Sequence, residues 1–161
     1  MQTEGVAVSS NATELVTFWL GGALYGIDIR KVQEIDKVRQ WTPVPRADEH
    51  VLGILSLRGS IVTILDLATK LGLSPTKIGR DSRVVILSSE GRCVGFVADQ
   101  IGPVVTMMPD QLAPVPPNVG PEQSRFMDGV FQAEPQLVAV LKADAIIEDT
   151  KGQDTASDRG I

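Results

Sequence analysis

The chain has 161 residues, with 15 Lys and Arg against 20 Asp and Glu, a formal charge of −5, one His and one Cys. A single Cys excludes an internal disulfide, and His50 with Cys93 supplies too few ligands for a Cys/His zinc site. The acidic balance argues against nucleic acid as a partner, because phosphate binding needs an excess of positive charge. Residues 1–13 carry no signal peptide, and no apolar run reaches the ~18 residues of a membrane span. We therefore expect a cytoplasmic protein without direct membrane insertion.

The first half of the chain is predicted to form strands. Short apolar runs alternate with turn signals about every ten residues, a rhythm typical of an all-β barrel or sandwich. The predicted strands are 15–20, 23–29, 38–44, 52–57 and 60–67. Gly21-Gly22 and Arg58-Gly59 are predicted hairpin turns, because glycine accepts a positive φ. Residues 30–35 have helix-like spacing for one turn, and residues 68–72 are predicted to form a brief helix that ends at glycine.

The second half repeats this order of elements. The predicted strands are 83–88, 92–98, 104–108, 126–131 and 136–141, followed by a short helix at 142–147. Residues 109–121 contain five prolines, which cannot join the interior of a sheet, so an extended linker is expected there. The polar ends, 1–13 and 149–161, are expected to be flexible tails around an ordered domain at 14–148.

Two pairs of glycines mark an internal repeat. Gly26 aligns with Gly95 and Gly53 with Gly129, at offsets of 69 and 76 residues. Similar apolar residues follow each member of a pair at the same distance. This pattern predicts a duplication, with two antiparallel barrels of about five strands each and a cleft between them.

Candidate catalytic residues are few. A Ser-His-Asp set could be assembled from Ser56 or Ser60 with His50 and Asp66, but no G-x-S-x-G pattern surrounds either serine. Cys93 lies in the middle of a predicted strand, where a free cysteine usually packs as a small hydrophobe. No phosphate-binding loop is present. We expect no catalysis, cofactor or metal, with a small hydrolase using Ser56 or Ser60 as the alternative.

Two charged residues stand out among apolar neighbours. Arg58 lies at a predicted hairpin tip. Glu34 lies in the segment VQEI at 32–35, between the apolar residues Val32 and Ile35. An arginine and a carboxylate pair well in bidentate geometry. If the Arg58 turn folds back towards Glu34, the pair would fix a corner of the barrel beside Val32. A charged corner with apolar residues next to it is typical of a protein-binding surface.

The sequence resembles the CheW family, the adaptors that couple bacterial chemoreceptors to the histidine kinase CheA. The resemblance covers residues 14 to about 147. The motifs that carry it, in chain order, are FWLGGALYGIDI at 18–29, VQEI at 32–35, PVP at 43–45, GILSLRGSIVTILDL at 53–67, VGFVADQI at 94–101 and FMDGV at 126–130.

The resemblance implies an all-β fold of two intertwined five-stranded SH3-like barrels with short helical turns, and no catalysis. It implies that receptor cytoplasmic tips dock between the barrels, and that the regulatory domain of a CheA-type kinase packs on an apolar barrel surface. The chain would then be recruited to membrane-associated receptor arrays. The expected receptor-binding residues are Val32, Glu34 and Arg58, and those with a structural role are Leu57, Gly59, Gly26 and Gly53.

The chain departs from the family pattern in two places. Ser56 stands where the family commonly has Asn before the Leu-Arg-Gly turn, and residues 110–124 match poorly. Two further readings stay open. The same class of adaptor serves other sensory pathways such as twitching motility, and CheW-like modules also occur as regulatory domains of larger signalling proteins.

Overall fold

The structure is a computed structural model, and it describes residues 11–150. The ten strands are β1 Thr13–Leu20, β2 Ala23–Asp28, β3 Val32–Lys37, β4 Val51–Leu57, β5 Ser60–Leu65, β6 Arg83–Ser89, β7 Arg92–Ala98, β8 Gln100–Met107, β9 Met127–Ala133 and β10 Gln136–Leu141. The α-helices are α1 Leu67–Lys70, α2 Pro121–Ser124 and α3 at 143–150, with 3₁₀ turns at Ile29–Lys31 and Pro109–Gln111. Within the described residues, no helix is long and apolar enough to cross a membrane.

The strands form two five-stranded sheets that exchange elements between the repeats. Sheet 1 has the order β8-β1-β2-β10-β9, and sheet 2 has the order β3-β6-β7-β5-β4. Each sheet therefore takes its central hairpin from one repeat and its other three strands from the other. The register repeats as well, because Gly26 pairs with Val140 in sheet 1 and Gly95 with Ile64 in sheet 2. The two halves of the chain thus repeat one arrangement of strands, as a duplication predicts, and the all-β, intertwined SH3-like architecture is confirmed.

A short backbone bridge curls each sheet towards a barrel. After β3, the chain crosses to the opposite edge of sheet 2, where Thr42 exchanges two hydrogen bonds with β4. After β8, Ala113 forms the same bridge to β9 in sheet 1. A Cβ on Gly53 would collide with the Thr42 carbonyl, and one on Gly129 would collide with the Ala113 carbonyl. The second pair of repeat glycines therefore marks the two places where only glycine lets the bridge approach.

The core lies mainly between the sheets. Phe18 of β1 and Phe96 of β7 meet there with ring centroids 4.9 Å apart, and Leu65 and Leu87 are fully buried in the same cluster. Smaller clusters fill the curl of each sheet. Burial of each such side chain contributes about 1.5–3 kcal/mol. The space between the barrels, expected to be a cleft, is thus largely a shared apolar core.

The third strand of the first half was misplaced. It runs over Val32–Lys37 instead of 38–44, and only Ile29–Lys31 of the helix-like stretch forms a helical turn. Side chains of Val32–Lys37 alternate between half-buried and exposed, the period of a strand. Beyond Val38, two prolines remove backbone donors and leave only the Thr42 bridge.

The predicted limits of several other segments also change. β8 begins at Gln100 and includes Pro103, which is tolerated because β8 is an edge strand. The linker at 109–121 contains a 3₁₀ turn and the Ala113 bridge. Thr13 belongs to β1, and α3 continues through Thr150, which is fully buried. Residues 1–10 and 151–161 of the two expected tails lie outside the described residues.

Candidate protein-interaction surface

The turn between β4 and β5 folds back onto β3 and forms a charged corner. Arg58 and Gly59 both have positive φ, 51° and 84°, which matches the twist of a two-residue hairpin. The Arg58 Nε lies 3.2 Å from the Glu34 Oε1, and the two side chains are 76% and 15% exposed. The structure thus brings together the two residues that the sequence singled out. Leu57 anchors the turn, since its side chain is buried in the core of sheet 2.

The corner is part of a larger charged groove. Its volume is about 560 Å³, and its lining residues are Glu34, Asp36, Lys37, Arg39, Ser56, Leu57 and Arg58. A hydrogen bond with the Asp36 side chain, together with burial, raises the pKa of Glu34, while the Arg58 charge acts in the opposite direction. Arg39 lies 3.9 Å from Asp36. The groove therefore presents guanidinium and carboxylate groups side by side, an arrangement that suits polar side chains of a protein partner.

Val32 is the first residue of β3, the strand that carries Glu34, and its side chain is only partly accessible to a partner. Its side chain is half-buried and packs against the central core. Between Val32 and Glu34 the pairing with β6 shifts by one residue, so Gln33 is a β-bulge. Bulges re-aim side chains at sheet edges. Val32 and Glu34 are two residues apart and share one face of the strand, so an apolar and an acidic side chain lie next to each other along this edge.

Exposed apolar residues form a second feature, which sequence reasoning missed. Ile35 of β3 and Ile61 of β5 are 37% and 71% exposed, and Val104 of β8 and Leu137 of β10 are 52% and 55% exposed. These are equivalent pairs, since Val104 follows Ile35 by 69 residues and Leu137 follows Ile61 by 76. The repeat offsets were the signal that could have revealed them. Each sheet thus presents the same pair of apolar side chains to solvent.

The structure does not form the serine-histidine-aspartate set. The carboxylate of Asp66 is buried and accepts the backbone N–H groups of Thr69 and Thr76, so it acts as a helix cap. His50 precedes β4, while Ser56 lies near its far end, about 20 Å away at the rise of a strand. Ser60 lies across the turn from Ser56, equally far from His50. The hydrolase alternative has no assembled site in these residues.

His50 and Cys93 are both partly buried and contact neighbouring side chains. Burial, with the nearby Lys70 charge, lowers the pKa of His50. The Cys93 thiol is half-buried and donates to the Gln33 side-chain oxygen at 3.3 Å. Among residues 11–150, no three His, Cys, Asp or Glu side chains converge as a metal site would require.

Comparison with known proteins gives one consistent result. A family model described as the CheW-like domain matches residues 14–151. Chemotaxis protein CheW from Klebsiella aerogenes is 36% identical over 134 residues, which cover 83% of this chain and 81% of the relative. Protein FrzA from Myxococcus xanthus is 26% identical over 132 residues, covering 79% of each chain. The solved structure of scaffolding protein TtCheW from Thermoanaerobacter tengcongensis superposes with a TM-score of 0.75 at 29% identity, covering 81% of this chain and 88% of that one. The chain therefore belongs to the CheW-like domain family.

Proposed function

We propose that this chain is a non-catalytic adaptor that couples the cytoplasmic tips of chemoreceptors to the regulatory domain of a CheA-type histidine kinase. Membership of the CheW-like domain family supports the proposal. The observation that carries it is the corner formed by Glu34 and Arg58. The two side chains form an ion pair at the surface, and the residues that line the groove around them include no catalytic set. Such a corner serves recognition, since its charges are accessible and held in fixed positions.

The receptor tip is proposed to bind along β3, at Val32, Glu34 and Arg58. Val32 offers apolar contact at the edge of the central core. Glu34 and Arg58 offer charges that fix the register of the bound segment. Both kinds of contact lie within one short stretch, because Val32 and Glu34 share a face of β3.

The kinase is proposed to use a different, apolar surface. Ile61 and Ile35 are exposed on sheet 2, and burial of exposed aliphatic side chains favours association. A regulatory domain of similar fold could pack its own sheet against them. Simultaneous binding of receptor and kinase would raise their effective concentration for each other. The adaptor would then work in the cytoplasm, at membrane-associated receptor arrays.

Co-sedimentation tests this proposal. The full chain is mixed with membranes that contain a chemoreceptor from the same genome and with that genome's CheA-type kinase, and the kinase activity in the pellet is measured. We expect kinase to sediment only when both receptor and this chain are present. Sedimentation of the kinase to the same extent without this chain would contradict the adaptor role.

A second candidate places the same adaptor in another sensory pathway, such as twitching motility. The relative FrzA favours it, since the matched family is not confined to proteins named for chemotaxis. Capture of partners from native cells separates the two. Recovery of a kinase encoded beside twitching genes, and of no chemotaxis kinase, would support the second candidate.

A further inference from the structure

Helix α3 ties together parts of the chain that are far apart in sequence. Its apolar face buries Ala143, Ile146 and Ile147 in the central core between the sheets. Its last described residue, Thr150, is fully buried, and the hydroxyl donates to the Ile146 carbonyl at 2.8 Å. The helix is therefore packed into the domain along its whole described length.

The end of α3 closes on a buried lysine. Lys70 is the last residue of α1, its side chain is only 1% exposed, and its ammonium forms an ion pair with Asp149. Arg125 approaches the same carboxylate at 3.5 Å. Both cations also lie over the ring of Phe126, at 4.4 Å for Arg125 and 5.7 Å for Lys70. Asp149 is thus the acidic partner that compensates a buried ammonium, and removing it would leave that charge unpaired.

Another face of the same helix holds the segment before β3. Asp144 pairs with Lys31 at 3.2 Å, and the Lys31 ammonium also donates to the Ser89 hydroxyl at 3.2 Å. Residues four apart share a helix face, so Asp144 lies on the same face as Glu148. Asp149 is the next residue after Glu148 and is turned about 100° from it around the helix axis, so it lies on a different face. Lys31 is the residue immediately before Val32. The helix therefore has its end fixed by Lys70 while its side holds the start of β3.

We infer that Lys70 and Asp149 are a positioning pair for the receptor site: their ion pair fixes α3, and α3 through Asp144 and Lys31 fixes the start of β3 at Val32. The inference rests on the proposed function, because it takes Val32 as part of that site. Neither Lys70 nor Asp149 needs to touch the receptor. Loss of the pair should leave the kinase surface at Ile61 unaffected, since Ile61 lies on β5 and the Asp144–Lys31 contact holds only the start of β3.

The experiment compares the full-length chain with Asp149→Asn. Amide hydrogen exchange of residues 143–150 and 29–33 is measured, with affinities for a receptor cytoplasmic fragment and for the kinase regulatory domain. We expect exchange in both segments to accelerate and receptor affinity to fall about tenfold, while kinase affinity stays within about twofold. Asp128→Asn, the same change at an exposed position on β9, is the matched control and should alter none of these.

The double variant Lys70→Met, Asp149→Asn separates positioning from direct contact. Methionine removes the unpaired ammonium while retaining apolar volume, a replacement that buried ion pairs tolerate. Because apolar contact of the methionine with α3 would replace the ion pair in fixing the helix, we expect slow exchange and receptor affinity to return together. If the single variant does not fold, Lys70→Ala, Asp149→Asn is compared with the first double variant: faster exchange in both segments together with weaker receptor binding supports positioning, and faster exchange with equal receptor affinity contradicts it.

Three outcomes would overturn the inference. Unchanged exchange in Asp149→Asn would show that the pair does not fix the helix. Faster exchange with unchanged receptor affinity would show that the helix does not position the site. Recovery of slow exchange in the double variant without recovery of receptor affinity would show that Asp149 contacts the receptor itself. Val32→Asp, measured in parallel, tests the proposed receptor site independently of the helix.

Discussion

Ile61 and Leu137 occupy equivalent positions 76 residues apart, one on β5 of sheet 2 and the other on β10 of sheet 1, and both are exposed. Each follows the turn of the last hairpin in its repeat, but the turns differ. Arg58-Gly59 precedes Ile61, whereas Glu134-Pro135 precedes Leu137. The two sheets thus present similar apolar side chains beside opposite charges, and this difference allows equivalent surfaces to select different partners.

Substitution of Ile61 by Asp tests the kinase surface. An unpaired carboxylate at an apolar contact opposes burial, so kinase affinity should fall about tenfold or more, with receptor affinity unchanged. The measurement is titration of each partner by calorimetry. Leu137→Asp is the matched control, because it makes the same change at the equivalent position of sheet 1. Equal loss of kinase affinity in both variants would contradict the assignment of the kinase to sheet 2.

Removal of either charge at the corner should impair coupling. In Arg58→Ala or Glu34→Ala, receptor affinity is expected to fall about tenfold, because a fixed charge contact is lost. The free energy of unfolding should change little, since the Arg58 side chain is largely exposed. Kinase activation in reconstituted receptor membranes reports the effect. Arg80→Ala, at an exposed position in the loop after α1, should couple like the parent. Normal coupling by both corner variants would refute the role of the corner.

A charge at Val32 should block receptor binding. In Val32→Asp the carboxylate would enter the proposed apolar contact without a partner, so receptor pull-down should be lost. The side chain is only half-buried, so the fold should be retained, which circular dichroism and thermal melting would check. Ile78→Asp places the same charge on an exposed apolar residue elsewhere. Undiminished receptor capture by Val32→Asp would remove Val32 from the site.

A methyl group on Gly53 should destabilise the domain. The added Cβ would press on the Thr42 carbonyl and on the Trp41 ring. A ring carbon of Trp41 lies 2.7 Å from the position that the Cβ would take. Relief requires a backbone shift at the bridge that curls sheet 2, so we expect a loss of about 1–3 kcal/mol in the free energy of unfolding. Denaturant titration measures it. Gly79→Ala, where nothing lies within 4 Å, should have no comparable effect.

Stability should fall on mild acidification because of His50. Burial and Lys70 hold its pKa below the usual value of 6.5, so the folded state favours the neutral ring. The stabilisation is complete above pH 6.5 and is lost as the pH falls towards the depressed pKa, because the unfolded chain binds the proton more readily. The charges facing His50 are those of Lys70, Asp48, Asp149 and Glu49. His50→Gln should flatten the pH dependence of thermal melting in this range, and an unchanged slope would contradict this account.

Local signals predicted much of the fold. The β4–β5 hairpin was placed correctly because apolar runs flank a glycine-containing turn, both features that act within a few residues. The Glu34–Arg58 contact was also predicted, since opposite charges among apolar neighbours invite pairing. β3 was displaced because it lies at a sheet edge and only two of its six residues, Val32 and Ile35, are apolar. Edge strands carry weaker patterns than central ones, being half exposed.

The ion pair between Lys70 and Asp149 had no recognisable sequence signal. Lys70 ends a short helix, where a lysine usually lies in solvent, and Asp149 begins a polar segment that was predicted to be a tail. Only the packing of α3 between the sheets buries the ammonium beside the carboxylate. Residues 79 positions apart acquire their roles from the tertiary arrangement, and neither helix alone specifies it.

The exchange of strands between repeats also governs how the chain can fold. Sheet 1 is not complete until the last hairpin, β9–β10, pairs with β2, so it cannot finish before residue 141 is synthesised, and sheet 2 cannot finish before β7 of the second repeat. Non-local pairing of this kind slows folding. Proteolytic cleavage in the loop at 73–82 would yield two fragments that each lack essential strands of both sheets. Such fragments should remain unstructured apart and regain the domain on mixing, as halves of a split reporter do.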